Sequence, residues 1–482
     1  MSNSRKFTEL IRWNDRPTHQ TANIGEYAIA SLTDRTLSFQ NNGVEMSLKL
    51  GDVVGVSAEE ISPHEEEASF RIHAYPLVTC YRWLGWGKKR QRRLQTYHFA
   101  CPNRDVRSRW MVAIQNILLG LPLDSPTPTV KRRLKIFLNP ISGKKQGKKI
   151  FETIRPLLEN SYLEYTLTET TYAGEIQDTL RQAELSEIDG IVLVGGDGSI
   201  HEAINGLMSR CDRETAILKP IGVIPSGTGN GLAKTLLEIA GEPEDPVSAA
   251  FLIAKGKQRP LDIAITQQNE RRYYSFLSLS WGIVSDVDIE SERLRFLGTL
   301  RTDIYALIRI WRLRNYPGKF SYLPATETTT SSQSECQAFE KCLPCFCDPE
   351  RNLPDRPSSL ELSNDEWQAI EDDFVLFWAM NMSHATHDIK AAPKAHLSDG
   401  NMDVILGRHG ISGISKLNLL LAFIKSAKGE HLSLPGIEYY KVRRFRLEPK
   451  TDRGILAVDG EKVAYFPIQM EVKRGLARVF CG

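Results

Sequence analysis

No stretch of this chain reaches the roughly 18 consecutive apolar residues that a membrane-spanning helix needs. The longest candidate, Leu417 to Ile424, is short and interrupted by Asn418. The opening residues, MSNSRKFTEL, lack the apolar core of a signal peptide. Cysteine is sparse, at 8 in 482 residues, which excludes a disulfide-built scaffold. With no secretory leader, the thiols are expected to be reduced and the protein cytoplasmic. An excess of one charge is also missing. Lys and Arg number 61 against 59 Asp and Glu, which leaves +2. No global field therefore draws the chain onto nucleic acid, and no nucleic-acid partner is expected. Any affinity for a membrane surface must come from a local patch. With 41% hydrophobic and 25% charged residues, disordered and collagen-like classes are excluded as well. The length fits about three domains.

The hydrophobic pattern changes character twice. Residues 1–122 show short alternating runs such as Val53-Val54-Gly55-Val56 and Phe70-Arg71-Ile72-His73-Ala74, which predict a small antiparallel β domain. It closes on one helix in which Trp110, Ile114 and Leu118 recur every four residues. This arrangement resembles a pleckstrin-homology fold. Between the strands, Lys88-Lys89-Arg90-Gln91-Arg92-Arg93 follows Trp83 and Trp86. The run reads either as a solvated hairpin tip or as a patch for peripheral binding to an anionic membrane. After the linker Pro122–Pro128, residues 130–270 alternate buried-type strands (Leu134–Leu138, Tyr165–Leu167, Ile191–Val194, Ile221–Ile224) with amphipathic helices. That alternation predicts an α/β domain on a parallel sheet. Residues 271–482 are strand-rich again, with an exposed insertion at 325–370. Its Cys336, Cys342, Cys345 and Cys347 do not have a zinc spacing.

Three glycine loops follow three buried strands. They are Asn139-Pro140-Ile141-Ser142-Gly143, Gly195-Gly196-Asp197-Gly198, and Pro225-Ser226-Gly227-Thr228-Gly229-Asn230-Gly231. Glycine lets a backbone approach phosphate closely, and the helix N-termini that follow offer free amides to the anion. Three such loops in one domain point to a phosphate site. They contain neither a Walker loop nor a dinucleotide fingerprint. Asp197 is the unusual member, a carboxylate within a phosphate loop. Two tasks suit it: accepting a proton from an attacking hydroxyl, or holding Mg²⁺. A plain turn-forming role is the alternative.

These residues, with His201-Glu202 after the second loop, resemble the diacylglycerol-kinase-type catalytic domain, a superfamily that includes diacylglycerol, ceramide and sphingosine kinases. The resemblance implies a two-domain fold, an α/β nucleotide-binding domain plus a β-sandwich lipid-binding domain, with ATP and Mg²⁺ as cofactors. It assigns nucleotide contacts to Asn139, Pro140, Ile141, Gly195, Gly196, Gly198, Ser199, Glu202, Gly227, Thr228 and Gly229. Thr170 also fits this role, with Thr171 as an alternative register.

The run Asp286-Val287-Asp288-Ile289-Glu290-Ser291-Glu292 narrows the resemblance to sphingosine kinases. Read as a helix from Asp288, it places Asp288, Glu292 and Arg295 on one face. That face is either an ion-paired surface or the polar wall of a cleft. By the resemblance, Asp288 meets the amino-alcohol head of sphingosine, Arg295 and Arg301 contact the nucleotide, and so does the turn Asp459-Gly460-Glu461. A free amine needs an acid partner, so the chemistry agrees. Gly195 to Gly198 would also line the lipid site. The stripe Leu300, Ile304, Leu307 and Trp311 reads as core packing or as an acyl-chain channel. The resemblance implies ATP-dependent phosphorylation of the primary hydroxyl of a long-chain base. Ceramide or diacylglycerol is the alternative substrate.

Overall fold

The computed structural model describes residues 7–14, 28–41, 44–59, 68–81, 88–126, 131–227, 229–291, 293–294, 300–325, 367–410 and 413–482. The chain forms two compact units. One gathers Met1–Leu134, Lys149–Thr166 and Asp245–Gly256; the other gathers Lys135–Lys148, Leu167–Glu244 and Lys257–Gly482.

The first unit holds β1 (Phe7–Asn14), β2 (Ala28–Leu32), β3 (Thr36–Asn41), β4 (Val44–Lys49), β5 (Val53–Glu59), β6 (Ala68–Ala74), β7 (Leu77–Tyr81), β8 (Lys88–Arg92) and β9 (Gln95–Cys101). Seven of these form one sheet in the order β4-β3-β2-β1-β9-β6-β5, and β7 and β8 form a hairpin. β1 serves two partners: Phe7–Ile11 pairs with β2 and Arg12–Asn14 with β9. Helix α1 (Arg104–Leu118) closes the fold. It starts where Asn103 Oδ1 accepts from the Val106 amide at 2.9 Å, which satisfies a donor the first turn would otherwise leave open. Trp110 anchors it, fully buried, with Nε1 donating to Glu9 Oε2 at 3.1 Å. Phe39, Phe70 and Phe99 stack in the core beneath. On β8, Lys88, Lys89 and Arg90 are exposed, whereas Arg92 turns inward. The Arg92 guanidinium lies 3.6 Å over the Phe251 ring and 2.9 Å from Asp52. Trp83 and Trp86 fall outside the described residues.

From residue 132 the elements alternate: β10 (Arg132–Leu138), α2 (Ser142–Lys145), α3 (Gly147–Glu159), β11 (Leu163–Glu169), α4 (Glu175–Gln182), β12 (Gly190–Gly195), α5 (Asp197–Met208), α6 (Arg213–Ala216), β13 (Ile221–Pro225), α7 (Gly231–Ile239) and α8 (Pro246–Lys255). β12 and β13 pair in parallel, Ile191 opposite Ile221. Then follow β14 (Gln258–Gln268), β15 (Arg271–Ser275), β16 (Ser278–Gly282), α9 (Ile283–Glu290), α10 (Leu300–Trp311), β17 (Tyr316–Pro324), β18 (Gln368–Met380), β19 (Met402–Arg408), α11 (Lys416–Lys425), β20 (Ile437–Pro449), β21 (Leu456–Val458), β22 (Glu461–Val463) and β23 (Ile468–Phe480). The α/β half and the β-rich half that the pattern predicts are both present.

The two halves share one continuous sheet, in the order β11-β10-β12-β13-β23-β20-β17-β18-β16-β21-β22. The stitch is β23. Val479 pairs in parallel with Ile221 of β13, while other β23 residues pair antiparallel with β14 and β20. β17 and β18 are antiparallel neighbours, Tyr322 opposite Gln368. The insertion therefore closes a hairpin and can lengthen without disturbing the sheet, since loop-closure cost grows slowly with length. Residues 326–366, with their four cysteines, lie outside the described residues. No described helix is long and apolar enough to cross a membrane.

Two local expectations are corrected. The helix read as starting at Asp288 instead starts at Ile283, after Gly282 at φ 81°, and ends at Glu290. Glu292 and Arg295 lie outside the described residues. The α10 stripe is not core either. Ile304, Leu307 and Trp311 are 38%, 53% and 72% exposed. The inward face of α10 carries Ala306, Arg309 and Ile310 instead, so a buried arginine takes a place where an apolar pattern would look for a hydrophobe.

Candidate active site

The three glycine loops meet at the ends of β10, β12 and β13, and their glycines are needed where they meet. The amides of Ser226 and Gly227 both donate to Gly195 O, at 3.0 and 3.2 Å. A Cβ on Gly227 would sit 2.7 Å from Gly196 Cα, and one on Gly143 would sit 2.3 Å from Ser226 O. Any side chain at these positions would push the loops apart. Asn139 joins the cluster through its amide, which donates to Val194 O at 3.0 Å, and its Oδ1 accepts from the Ile141 amide at 3.0 Å. Pro140 lies between them, and Ile141 is exposed. Thr170, at the end of β11, is buried and donates through N to Leu138 O at 2.9 Å. Thr171 instead turns to Glu175 of α4, 2.8 Å from its hydroxyl. Of the two, Thr170 is the one beside the Asn139 loop.

Asp197 begins α5, yet its side chain caps a different helix. Oδ2 accepts from the Gly231 amide at 2.8 Å and Oδ1 from the Leu232 amide at 3.4 Å, both at the N-terminus of α7. Gly229 passes so close that a Cβ there would be 2.7 Å from Asp197 Oδ2. Burial pushes the Asp197 carboxyl up to about 6, and the nearby Asp459 charge adds to this, against the pull of the α7 amides. A carboxylate poised near neutrality, oriented by backbone amides and flanked by phosphate-type loops, has the attributes of a general base.

The turn at Asp459-Gly460-Glu461 faces this site with its residues in three different roles. The Asp459 carboxylate is spent internally. It accepts from Ser275 Oγ at 2.6 Å, from the amides of Phe276, Leu277 and Ser278, and from His201 Nδ1 at 2.9 Å. His201 sits one helical turn beyond Asp197 on α5. Burial lowers its proton affinity, but Asp459 outweighs this and holds it above the usual histidine range. Gly460 adopts φ 84°, and a Cβ there would lie 3.8 Å from Asp288 Oδ2. Glu461 Oε1 lies 3.8 Å from where a Cβ on Gly198 would be. The turn thus lies near both Asp288 and the Asp197 loop.

Glu202 is half-buried and accepts from the amides of Gly174 and Ile176 at the start of α4; burial outweighs those bonds and pushes its carboxyl up. Ser199 is buried behind Gly195. Sequence reasoning gave His201 no role, although its i+4 spacing from Asp197 was the available signal.

Residues 133–265 match the diacylglycerol kinase catalytic domain, and residues 356–481 match the YegS C-terminal NAD kinase beta sandwich-like domain. Sphingosine kinase 1 of Arabidopsis thaliana is 37% identical over 371 residues, covering 72% of this chain and 75% of the relative. The chain belongs to the sphingosine kinase family. Sphingosine kinase 1 of Homo sapiens is 33% identical over 365 residues, covering 73% of this chain and 92% of its own. The ceramide kinase of Homo sapiens is more distant, at 27% over 408 residues, with 80% and 72% covered. A Bacillus anthracis structure assigned to the diacylglycerol kinases is similar in fold, with a TM-score of 0.51 at 20% identity over 74% of this chain and 98% of that one.

In this sphingosine kinase family member the glycine loops, Asp197, Asp288 and the 459–461 turn lie near one another. Arg301 lies in the first turn of α10 and is half-buried. Thr228 and Arg295 fall outside the described residues.

Proposed function

We propose that this chain transfers the γ-phosphoryl group of ATP to the primary hydroxyl of sphingosine or a related long-chain base. The observation that carries the reading is Asp197, a buried carboxylate held by the α7 amides where three glycine loops converge. The hydroxyl oxygen attacks the γ-phosphorus, the bond to the bridging β–γ oxygen breaks, ADP leaves, and the hydroxyl proton passes to Asp197. Backbone amides around Gly195, Gly196, Gly198, Gly227, Thr228 and Gly229, with Asn139, Pro140, Ile141, Thr170 and Ser199, hold the nucleotide. Arg295, Arg301, Gly460 and Glu461 complete that set, and Glu202 and Asp459 act from behind it. Among the described residues no three candidate ligands form a metal cage. A Mg²⁺ ion would be held chiefly by the nucleotide's phosphates with one or two protein carboxylates. Glu461, whose Oε1 lies near Gly198, would be one such carboxylate. When bound, the ion would neutralise phosphate charge.

Asp288 selects the ammonium head. It is exposed on α9 and lies beside Gly460. Asp288→Asn is expected to raise KM for sphingosine roughly 10- to 100-fold, the size of one charge-assisted hydrogen bond of about 1.5–3 kcal/mol. KM for ATP should change little. Steady-state kinetics with both substrates checks this, and an unchanged sphingosine KM would remove Asp288 from the headgroup site.

The N-terminal β module reads as pleckstrin-like, because β1 bridges two antiparallel groups of strands in one seven-stranded sheet and a single C-terminal helix closes it. Its exposed Lys88, Lys89 and Arg90 suit an anionic membrane surface, which would bring a cytoplasmic enzyme to its lipid substrate. Neutralising all three should weaken binding to phosphatidylserine vesicles by about 3 kcal/mol, at about 1 kcal/mol per basic residue. Cosedimentation at low salt reads this, and equal binding of variant and parent would refute the patch.

A further inference from the structure

We infer that Asp286, Glu290 and Arg309 form a positioning lock that sets the orientation of α9 and thereby aims Asp288. The inference rests on the reading of Asp288 as the headgroup acid. Three acids alternate along α9, but they are not equivalent. Asp286 and Glu290 are four residues apart and share a helix face, while Asp288 lies on the other side. Asp286 is 2% exposed. Its Oδ2 lies 3.1 Å from Arg309 Nη2 and 3.4 Å from Arg314 Nη1, and it accepts from the Tyr316 hydroxyl. Glu290 Oε2 lies 2.7 Å from Arg309 Nη2 and 2.8 Å from the Tyr305 hydroxyl, and Oε1 lies 3.3 Å from Arg314 Nη1. Two carboxylates thus face two guanidiniums, and the Arg309 side chain is only 7% exposed.

The cluster is buried at Asp286 and Arg309 and open to solvent at Arg314, and shifting either helix would strand the buried charges. Location makes it a positioning device rather than a stability element alone. α9 has eight residues, too few to be a stable helix without tertiary contacts. Turning it by about 20° would carry a side-chain tip, roughly 5 Å from the helix axis, through about 2 Å. Displacements of this order cost on the order of 10²-fold in rate. The lock also fixes α9 on α10, the helix that carries Arg301. The groups proposed for the lipid head and for the nucleotide are therefore held by one set of ion pairs.

The test is kinetic and uses the full chain. Arg309→Met should raise KM for sphingosine by about 10-fold or more while KM for ATP moves less, and Arg309→Lys should recover part of the loss. Arg314 is half-exposed, so Arg314→Met should fold even if Arg309→Met does not, and it should show a smaller rise in the same constant. The deciding comparison repeats Arg309→Met, or Arg314→Met if needed, in an Asp288→Asn background. If the lock acts through Asp288, the second substitution adds little to the sphingosine KM. A full-size additional rise would overturn the lock, and so would parental sphingosine KM values in both arginine variants. If Asp288→Asn alone leaves KM unchanged, the headgroup reading fails instead, which keeps the two failures distinct.

Discussion

Asp197→Asn is expected to lower kcat by about 10²- to 10⁴-fold, the range that a positioned general base supplies. ATP binding should survive, because backbone amides of the three glycine loops, rather than the Asp197 carboxylate, surround the proposed phosphate site. The variant should also fold at least as well as the parent. Burial raises the Asp197 carboxyl from its ordinary 3.8 to about 6. For an acid whose folded value lies above its unfolded value, folding weakens as pH rises from the lower value to the higher. At neutral pH the ionised side chain therefore costs about 3 kcal/mol, at 1.36 kcal/mol per unit. Asn carries no charge and escapes that cost. The expected combination is a dead kinase that binds ATP and melts no lower than the parent at neutral pH. The pH profile of the parent follows from the same shift, since kcat/KM should fall on the acid side with a midpoint near 6 as the base is protonated. Substantial turnover by the Asn variant would take the base role from Asp197.

Asp459→Ala should be the most damaging single change to the fold of the catalytic region. The carboxylate is fully enclosed and satisfies a hydroxyl, three amides and His201. Removing it leaves those donors without their acceptor and a buried histidine without its counter-charge, a loss of about 3–5 kcal/mol. That is much of the 5–15 kcal/mol by which a typical domain is stable. Asp459 also sits at φ 52°, a backbone state that Asn tolerates and Ala does not. Asp459→Asn should therefore be milder. The pair has a pH signature. Asp459 raises the His201 value over the opposing effect of burial, so its contribution is complete below the unfolded histidine value and is lost as pH rises through the folded one. Urea unfolding on the two sides of that window should show a slope in the parent and a reduced slope in Asp459→Asn. A parental slope in the variant would show that the pair is not the source.

The sequence made the phosphate site legible because few residue types can build it. Gly143, Gly195 and Gly227 stand where a Cβ would collide with a neighbour, and Gly196 where one would press on Gly227 Cα at 3.3 Å. Strand and helix alternation was legible for the same local reason, periodicity in runs of adjacent residues. What stayed hidden depended on partners distant in the chain. β23 looks like any C-terminal strand, and only its pairing with β13, β14 and β20 reveals that it joins the halves. The α10 stripe matched a core pattern, but the inward face was set by Arg309 and by acids some twenty residues earlier. Asp459 was visible as a motif residue. That its carboxylate is occupied by His201, 258 positions away, was not.

Long-chain-base kinase activity is tested most directly by transfer of labelled phosphate from ATP to a panel of sphingosine, ceramide and diacylglycerol presented in the same micelles. Label is expected on sphingosine, with loss of that label in Asp288→Asn at low lipid concentration and in Asp197→Asn at any concentration. Preferential labelling of ceramide or diacylglycerol by the parent protein would contradict it.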